Sequence, residues 1–179
     1  MRLVKAVLVD GSPRKKNTHA LLEAICRTLE SSIDVELIRL AELNILQCRG
    51  TDEYCLAHNS CHITDAMQQI YPKLKEADVI IIGTPTYYWN VSGLVKTFID
   101  RCLPLYHKRL LKNKMAASVA VSEVDGQNLA LATISSFFRL NEMIEIGGFS
   151  IARGKSEVGD RELESARVFG RMIARRALG

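Results

Sequence analysis

At 179 residues with 47% apolar content, the chain is sized for one domain, residues 1–179, around one core. Its net charge of +4 suits a small anionic ligand and is too small to argue for nucleic acid, and no apolar run is long enough to span a bilayer. Met1-Arg2 leads straight into an apolar run that carries Lys5, so the reading expects no signal peptide and a cytoplasmic protein, whose five cysteines are reduced thiols or ligands and not a disulfide framework.

Strand and helix patterns alternate from end to end. A strand at Leu3–Val9 leads to a helix at about Thr18–Ser31, a strand at Val35–Leu40 and a long polar loop from Ala41 to Ile63. A helix at about Thr64–Ala77 precedes a wholly apolar strand at Val79–Gly83, a loop over Thr84–Asn90 and a helix at about Val91–Cys102. A strand at about Ala116–Ser122, a helix at about Gln127–Asn141, a strand at Met143–Ile151 and a helix at about Asp160–Leu178 complete the chain. Five apolar strands separated by helices predict a parallel sheet covered on both faces. With right-handed crossovers, the expected architecture is a three-layer α/β fold of the flavodoxin-like kind, its five-stranded sheet in the order 2-1-3-4-5. In the last helix, Arg167, Arg171 and Arg175 recur at helical spacing and read as a solvated face with Glu164 as a partial partner.

Ligands of such sheets sit beyond the carboxyl ends of the strands, at the switch between strands one and three. The loops after those two strands are the most loaded in the sequence. The first reads G-S-P-R-K-K-N-T, Gly11 to Thr18, between a buried strand and an amphipathic helix. A helix start offers unpaired backbone N–H groups and a positive pole, which suit a phosphate. Ser12 and Thr18 add hydroxyls, Asn17 an amide and Arg14 a forked cation, while Lys15 and Lys16 raise the local potential. Neither G-x-x-x-x-G-K-[ST] nor G-x-G-x-x-G is present, which leaves a phosphate clamp for a mononucleotide, FMN first among them, or an ordinary capped helix start. The second loop reads G-T-P-T-Y-Y-W-N-V-S-G, Gly83 to Gly93. Pro85 shapes the turn, and the aromatic run offers the flat wall and backbone donors that an isoalloxazine ring needs; core or interface aromatics are the alternative.

Two other three-layer classes are excluded. Low-molecular-weight phosphatases need C-x5-R, and the residues six after each cysteine are Ser32, Tyr54, Cys61, Met67 and Lys108. Receiver domains need an aspartate at the end of strand three, where this chain has Gly83-Thr84.

The two loops together, G-S-P-R-K-K-N-T-H-A-L-L and G-T-P-T-Y-Y-W-N-V-S-G-L-V-K-T-F-I-D-R, resemble the NAD(P)H-dependent FMN reductase superfamily, and within it the iron–sulfur flavoprotein branch. The resemblance covers the first two thirds of the chain. It implies a flavodoxin-like fold that binds FMN. Ser12, Arg14, Asn17 and Thr18 match the phosphate loop, and Pro85, Thr86, Tyr87, Tyr88, Trp89 and Asn90 match the loop that holds the flavin ring. Gly93 matches the glycine that opens the next helix, and Lys96, Phe98, Asp100 and Arg101 match a helix of packing and dimer contacts. Ser122, Glu123 and Gly126 fall where the family contributes a third flavin-side loop. The implied activity passes electrons from NAD(P)H through FMN to an acceptor: a flavin, a quinone, a nitro or azo compound, or a protein. No general acid or base is named, because hydride transfer needs none. The rival is a non-enzymatic FMN electron carrier of flavodoxin type, which the basic charge disfavours. Aromatic-rich flavin loops with one open face point to a homodimer or homotetramer.

The iron–sulfur branch carries C-x-x-C-x-x-C and a fourth cysteine in the long loop after strand two. This chain reads C-R-G-T-D-E-Y-C-L-A-H-N-S-C-H, Cys48 to His62. With one residue inserted, Cys48, Cys55 and Cys61 match the first, third and fourth cysteines, and Thr51 stands in place of the second. A [4Fe–4S] cluster takes four thiolates. Three thiolates with His58 or His62 make a possible zinc set. The expectation is a metal-free loop of plain thiols, with zinc and an iron–sulfur cluster as the alternatives. Cys26 and Cys102 fall on helices and read as core residues.

Overall fold

The computed structural model describes residues 3–152, 154 and 156–179. Its elements are β1 (Lys5–Asp10), α1 (Asn17–Leu29), β2 (Asp34–Arg39), a 3₁₀ turn (Leu40–Glu42), α2 (Asp52–His58), α3 (Met67–Glu76), β3 (Val79–Tyr87), β4 (Asn90–Val91), α4 (Gly93–Arg101), α5 (Leu103–His107), β5 (Met115–Ser122), α6 (Gln127–Leu140), β6 (Ile144–Ala152) and α7 (Asp160–Leu178). The main strands run in the order β2-β1-β3-β5-β6, all parallel, which is the expected 2-1-3-4-5 order with one short extra strand, β4, set antiparallel on the end of β3.

Side chains alternate across the sheet and build a core on each face. Val7 and Val9 of β1 and Ile80 and Ile82 of β3 point to one side, where α3, α4 and α6 supply Leu74, Phe98 and Phe138. Ala6, Leu8, Val79 and Ile81 point to the other, where α1 and α7 supply Leu22, Ile25, Ala166 and Ile173. Cys26, on α1, and Cys102, in the turn between α4 and α5 and not on a helix as expected, are both buried core residues. Glu164 pairs with Arg167 and Arg171 at 3.1 and 2.7 Å on the exposed face of α7.

Three elements differ from their sequence reading. The polar loop over 41–63 contains the 3₁₀ turn and the helix α2. The strand expected to stop at Gly83 continues to Tyr87, because Gly83, Thr84 and Pro85 stay in register with Val119, Ala120 and Val121 of β5. The helix expected from Val91 to Cys102 begins at Gly93 and ends at Arg101, because Asn90 and Val91 fold back onto β3 and because Pro104, with no N–H to give, opens α5.

The carboxyl ends of β1 and β3 are locked together. Gly11 N donates to Gly83 O (2.8 Å), and Ser92 Oγ, buried at the start of α4, donates to Gly11 O (2.7 Å). The same Ser92 Oγ caps α4 by accepting from Val95 N (3.2 Å), and Ser92 N donates to Thr84 Oγ1 (2.9 Å). A Cβ at position 11 would lie 2.0 Å from Val95 Cγ2 and 2.9 Å from Gly83 O, so only glycine fits. Gly11→Ala is expected to lower stability by about 1–3 kcal/mol through this overpacking, read as a lower denaturant midpoint with an unchanged slope.

Candidate functional site

Beyond the lock, the first loop is ordered from beneath by Asp10, which is fully buried. Its Oδ1 accepts from Ser12 N (2.9 Å), while Oδ2 lies 2.9 Å from His19 Nδ1 and accepts from Arg39 Nε (3.2 Å). Ser12 Oγ donates to Arg14 O (2.7 Å) and tightens the turn. The helix α1 then starts at Asn17 with no side-chain cap, so its first N–H groups and positive pole are left for a ligand. The N-cap position is held by Lys16, whose side chain has no acceptor to offer, and Asn17, the first residue of the helix, is engaged elsewhere. Asn17 turns its amide across the sheet end, donating to Ser156 O (2.9 Å) and accepting from Val158 N (3.0 Å). It anchors the connection between β6 and α7.

The second loop is a hairpin. Thr86 pairs with Val91 and Tyr87 with Asn90, so Tyr88 and Trp89 form a two-residue turn. Both have positive φ, 47° and 59°, the left-handed conformation that type I′ turns require and that asparagine and glycine normally supply. The third loop meets it. Gly126 has φ 90°, and a Cβ there would lie 2.6 Å from Trp89 Cα. Ser122 Oγ donates to Gln127 Oε1 (2.8 Å), and Gly154 N donates to Glu123 O (2.7 Å).

These loops enclose a cleft of about 380 Å³ lined by Ser12, Arg14, Lys16, Asn17, Thr18, Pro85, Thr86, Tyr87, Val121, Ser122, Glu123 and Gly154. Ten residues singled out in the sequence therefore meet at one place: Ser12, Arg14, Lys16, Asn17 and Thr18 of the first loop, Pro85, Thr86 and Tyr87 of the second, and Ser122 and Glu123 of the third. Five stand off its lining, Gly126 of the third loop among them. Tyr88 is fully exposed, Trp89 packs on Gly126, Asn90 Oδ1 accepts from Thr133 Oγ1 (2.8 Å), and Gly93 sits exposed at the start of α4. Val121 and Gly154 carried no signal in the sequence, since neither belongs to a motif. A larger hollow of about 670 Å³ lies along the sides of α4, α5 and α6 beside Cys48. None of its lining residues belongs to the sheet, whereas the smaller cleft opens at the carboxyl ends of β1, β3 and β5, so the smaller cleft is the better functional candidate.

The cysteine loop lies against that larger hollow. Cys55 is buried in α2, and burial first, then the neighbouring thiols of Cys61 and Cys48, push its pKa up. Thr51 Oγ1 lies 3.1 Å from His62 Nδ1, and the His58 ring stacks on Tyr54 at 4.1 Å. Among the described residues, no group of three His, Cys, Asp or Glu side chains is placed to hold a metal ion. Asp65 closes the loop; burial opposes its charge, but hydrogen bonds from Arg101, Leu46 N and Met67 N hold its pKa below the usual carboxylate value. Arg101, read from sequence as a packing and dimer residue, is instead its buried partner.

A family model described as NADPH-dependent FMN reductase matches residues 4–157. The chain belongs to this family. It is 34% identical over 186 residues to an iron–sulfur flavoprotein of Methanocaldococcus jannaschii, covering 96% of each chain. It is 35% identical over 177 residues to an iron–sulfur flavoprotein of Archaeoglobus fulgidus, covering 96% of this chain and 79% of the relative. Its fold is shared with a WrbA-like flavodoxin from Agrobacterium tumefaciens at TM-score 0.71 and 20% identity, over 97% of both chains. The family is one of flavoprotein oxidoreductases whose cofactor is FMN. The cleft fits that cofactor on two counts. An uncapped helix start stands beside Arg14 and Lys16, suited to a terminal phosphate. Thr86 Oγ1, on the cleft wall, is a buried hydroxyl without a hydrogen-bond partner among the described residues, suited to the polar edge of a ring. Among the described residues no helix is long and apolar enough to cross a membrane.

Replacing Asp10 tests the foundation of the site. Asp10→Asn removes the charge that faces Arg39 and His19 and is expected to cost about 1–3 kcal/mol of stability, read by chemical unfolding.

Proposed function

We propose that residues 1–179 act as a single FMN-binding unit that takes electrons from NAD(P)H and delivers them to a separate acceptor, either a small molecule or a protein. The observation that carries the reading is the convergence of the uncapped start of α1 and the unpartnered Thr86 hydroxyl on one cleft. When bound, FMN supplies the hydride chemistry. The chain's own part is binding and orientation. The N–H groups at the start of α1, with Arg14, Thr18 and the remaining amide hydrogen of Asn17, hold the phosphate by charge-assisted hydrogen bonds, and Ser12, whose hydroxyl proton goes to Arg14 O, shapes the loop around it. Pro85, Thr86 and Tyr87 hold the ring plane, and Ser122 and Glu123 bound it from the β5 side. Tyr88, Trp89 and Asn90 act from the rim: the hairpin they form closes on Gly126 and keeps the wall in place, and Gly93 lets α4 begin beside it. The net positive charge favours an anionic nicotinamide nucleotide. The open rim, with Tyr88 fully exposed and Trp89 60% exposed, leaves apolar surface that a second subunit would cover. A homodimer or homotetramer in the cytoplasm is the corresponding assembly.

Two measurements test the reading. Anaerobic addition of NADPH or NADH is expected to bleach the flavin absorbance within minutes. A stable flavin spectrum with both nucleotides would leave the flavodoxin-type electron carrier as the better account. The double variant Arg14→Ala/Asn17→Ala is expected to weaken FMN binding by about 1–3 kcal/mol, measured by fluorescence titration, and unchanged affinity would move the phosphate site elsewhere.

A further inference from the structure

The relatives named iron–sulfur flavoproteins raise the question of what the cysteine loop does in this chain. The donor set does not fit a [4Fe–4S] cluster. The loop has Cys48, Cys55 and Cys61, with Thr51 at the remaining position, and the Thr51 hydroxyl is already engaged with His62. The histidines do not make up the set: among the described residues no three His, Cys, Asp or Glu side chains are grouped so as to hold a metal ion. Cys102 borders the same hollow as Cys48 but is buried under α4 and belongs to the core.

The loop is nonetheless ordered, and its order has an identifiable source. The Arg101 side chain is fully buried, and its guanidinium binds both ends of the loop at once. Nη1 donates to Leu46 O (2.7 Å) at the entry and to Asp65 Oδ2 (2.5 Å) at the exit, while Nη2 donates to Asp65 Oδ1 (3.0 Å). Asp65 completes the knot by accepting from Leu46 N (2.8 Å) and Met67 N (3.0 Å). Such a forked pair fixes two backbone segments in one geometry, which a cluster would otherwise do through its thiolates.

We propose that residues 46–65 are a cluster-free cap, held shut by Arg101 and Asp65 in place of iron, and that the missing thiolate at position 51 is the reason. Resting on the FMN reading above, this makes the flavin cleft the exit for electrons, with no metal relay between it and the acceptor. The acceptor is then one that reaches the cleft itself.

The test uses the full chain, purified anaerobically and then incubated with ferrous iron, sulfide and a thiol reductant. Iron, acid-labile sulfide and zinc are measured on the same samples as releasable flavin. Wild type is expected to hold well under one iron per chain and no stoichiometric zinc, and chelators are expected to leave its melting temperature and nicotinamide-driven turnover unchanged. Thr51→Cys, which restores the fourth thiolate, is expected to take up about four irons per chain. Stoichiometric iron or zinc in wild type, or loss of turnover on chelation, overturns the proposal. A Thr51→Cys protein that stays iron-free overturns the assignment to position 51. Asp65→Asn is expected to speed proteolytic cleavage within 46–65 at least tenfold, and unchanged cleavage overturns the role of the buried pair. Failure of the FMN reading would show separately, as protein without releasable flavin.

Discussion

The contact between Gly11 and the start of α4 is the constraint on which the rest of the site depends. A parallel sheet leaves its strand ends as separate points, each followed by a loop with its own freedom. Here the ends of β1 and β3 are joined by Gly11 N to Gly83 O and by Ser92 Oγ to Gly11 O, both short and both buried. The junction leaves no room for a Cβ, and it joins the phosphate-side loop to the ring-side loop at a fixed separation. Ser92 has three roles at once: it bonds Gly11, caps α4 and binds Thr84 through its backbone. A ligand that spans from α1 to the hairpin is measured against this junction.

Around it, the two ends of the cleft are built on different physics. The α1 end is electrostatic, with a buried carboxylate, Asp10, pinning Ser12 N and Arg39 from below while the helix start and Arg14 face outward. The hairpin end is steric. Two bulky aromatics occupy left-handed positions that cost about 1–2 kcal/mol each for side chains with a Cβ. Trp89 recovers part of that by closing on Gly126, and Asn90 recovers more by bonding Thr133. Tyr88 makes no such contact and projects fully into solvent. Strain kept at the rim of a ligand cleft, with an apolar ring left in water, is a cost tolerated for recognition.

The cap formed by the cysteine loop is built on a third principle, a buried ion pair. Such pairs add little net stability, because both charges lose their water, but hydrogen bonds in several directions specify one geometry; here both terminal nitrogens of Arg101 are bonded and Nε is buried without a partner among the described residues. Arg101 and Asp65 between them hold Leu46 and Met67 by their backbones, so the ends of a loop with little apolar surface are fixed. The cysteine loop and the cleft are tied through α4: Ser92 at its start belongs to the lock, and Arg101 at its end holds the loop.

The sequence by itself determined the sheet, its order and the first loop, because these have local signatures. Apolar runs of strand length, helical periodicity and polar residues at a strand-to-helix turn are written in consecutive positions, and the observed order and α7 agree with them. The comparison of motifs also reached Pro85, Thr86 and Tyr87 on the cleft wall. What only the tertiary structure decided was how residues far apart in the chain meet. The turn at Tyr88-Trp89 is set by two positive φ angles and points its rings away from the cleft lining, which no composition rule foretells. Asn17, read from the sequence as a phosphate-loop amide, is also held by Ser156 and Val158 from the far end of the chain. Arg101, read from the sequence only as part of a helix of packing and dimer contacts, is buried against Asp65, 36 positions away. Hydrogen bonds of this kind leave no periodic trace, since a polar residue reads the same whether its partner is water or a carboxylate that folding delivers.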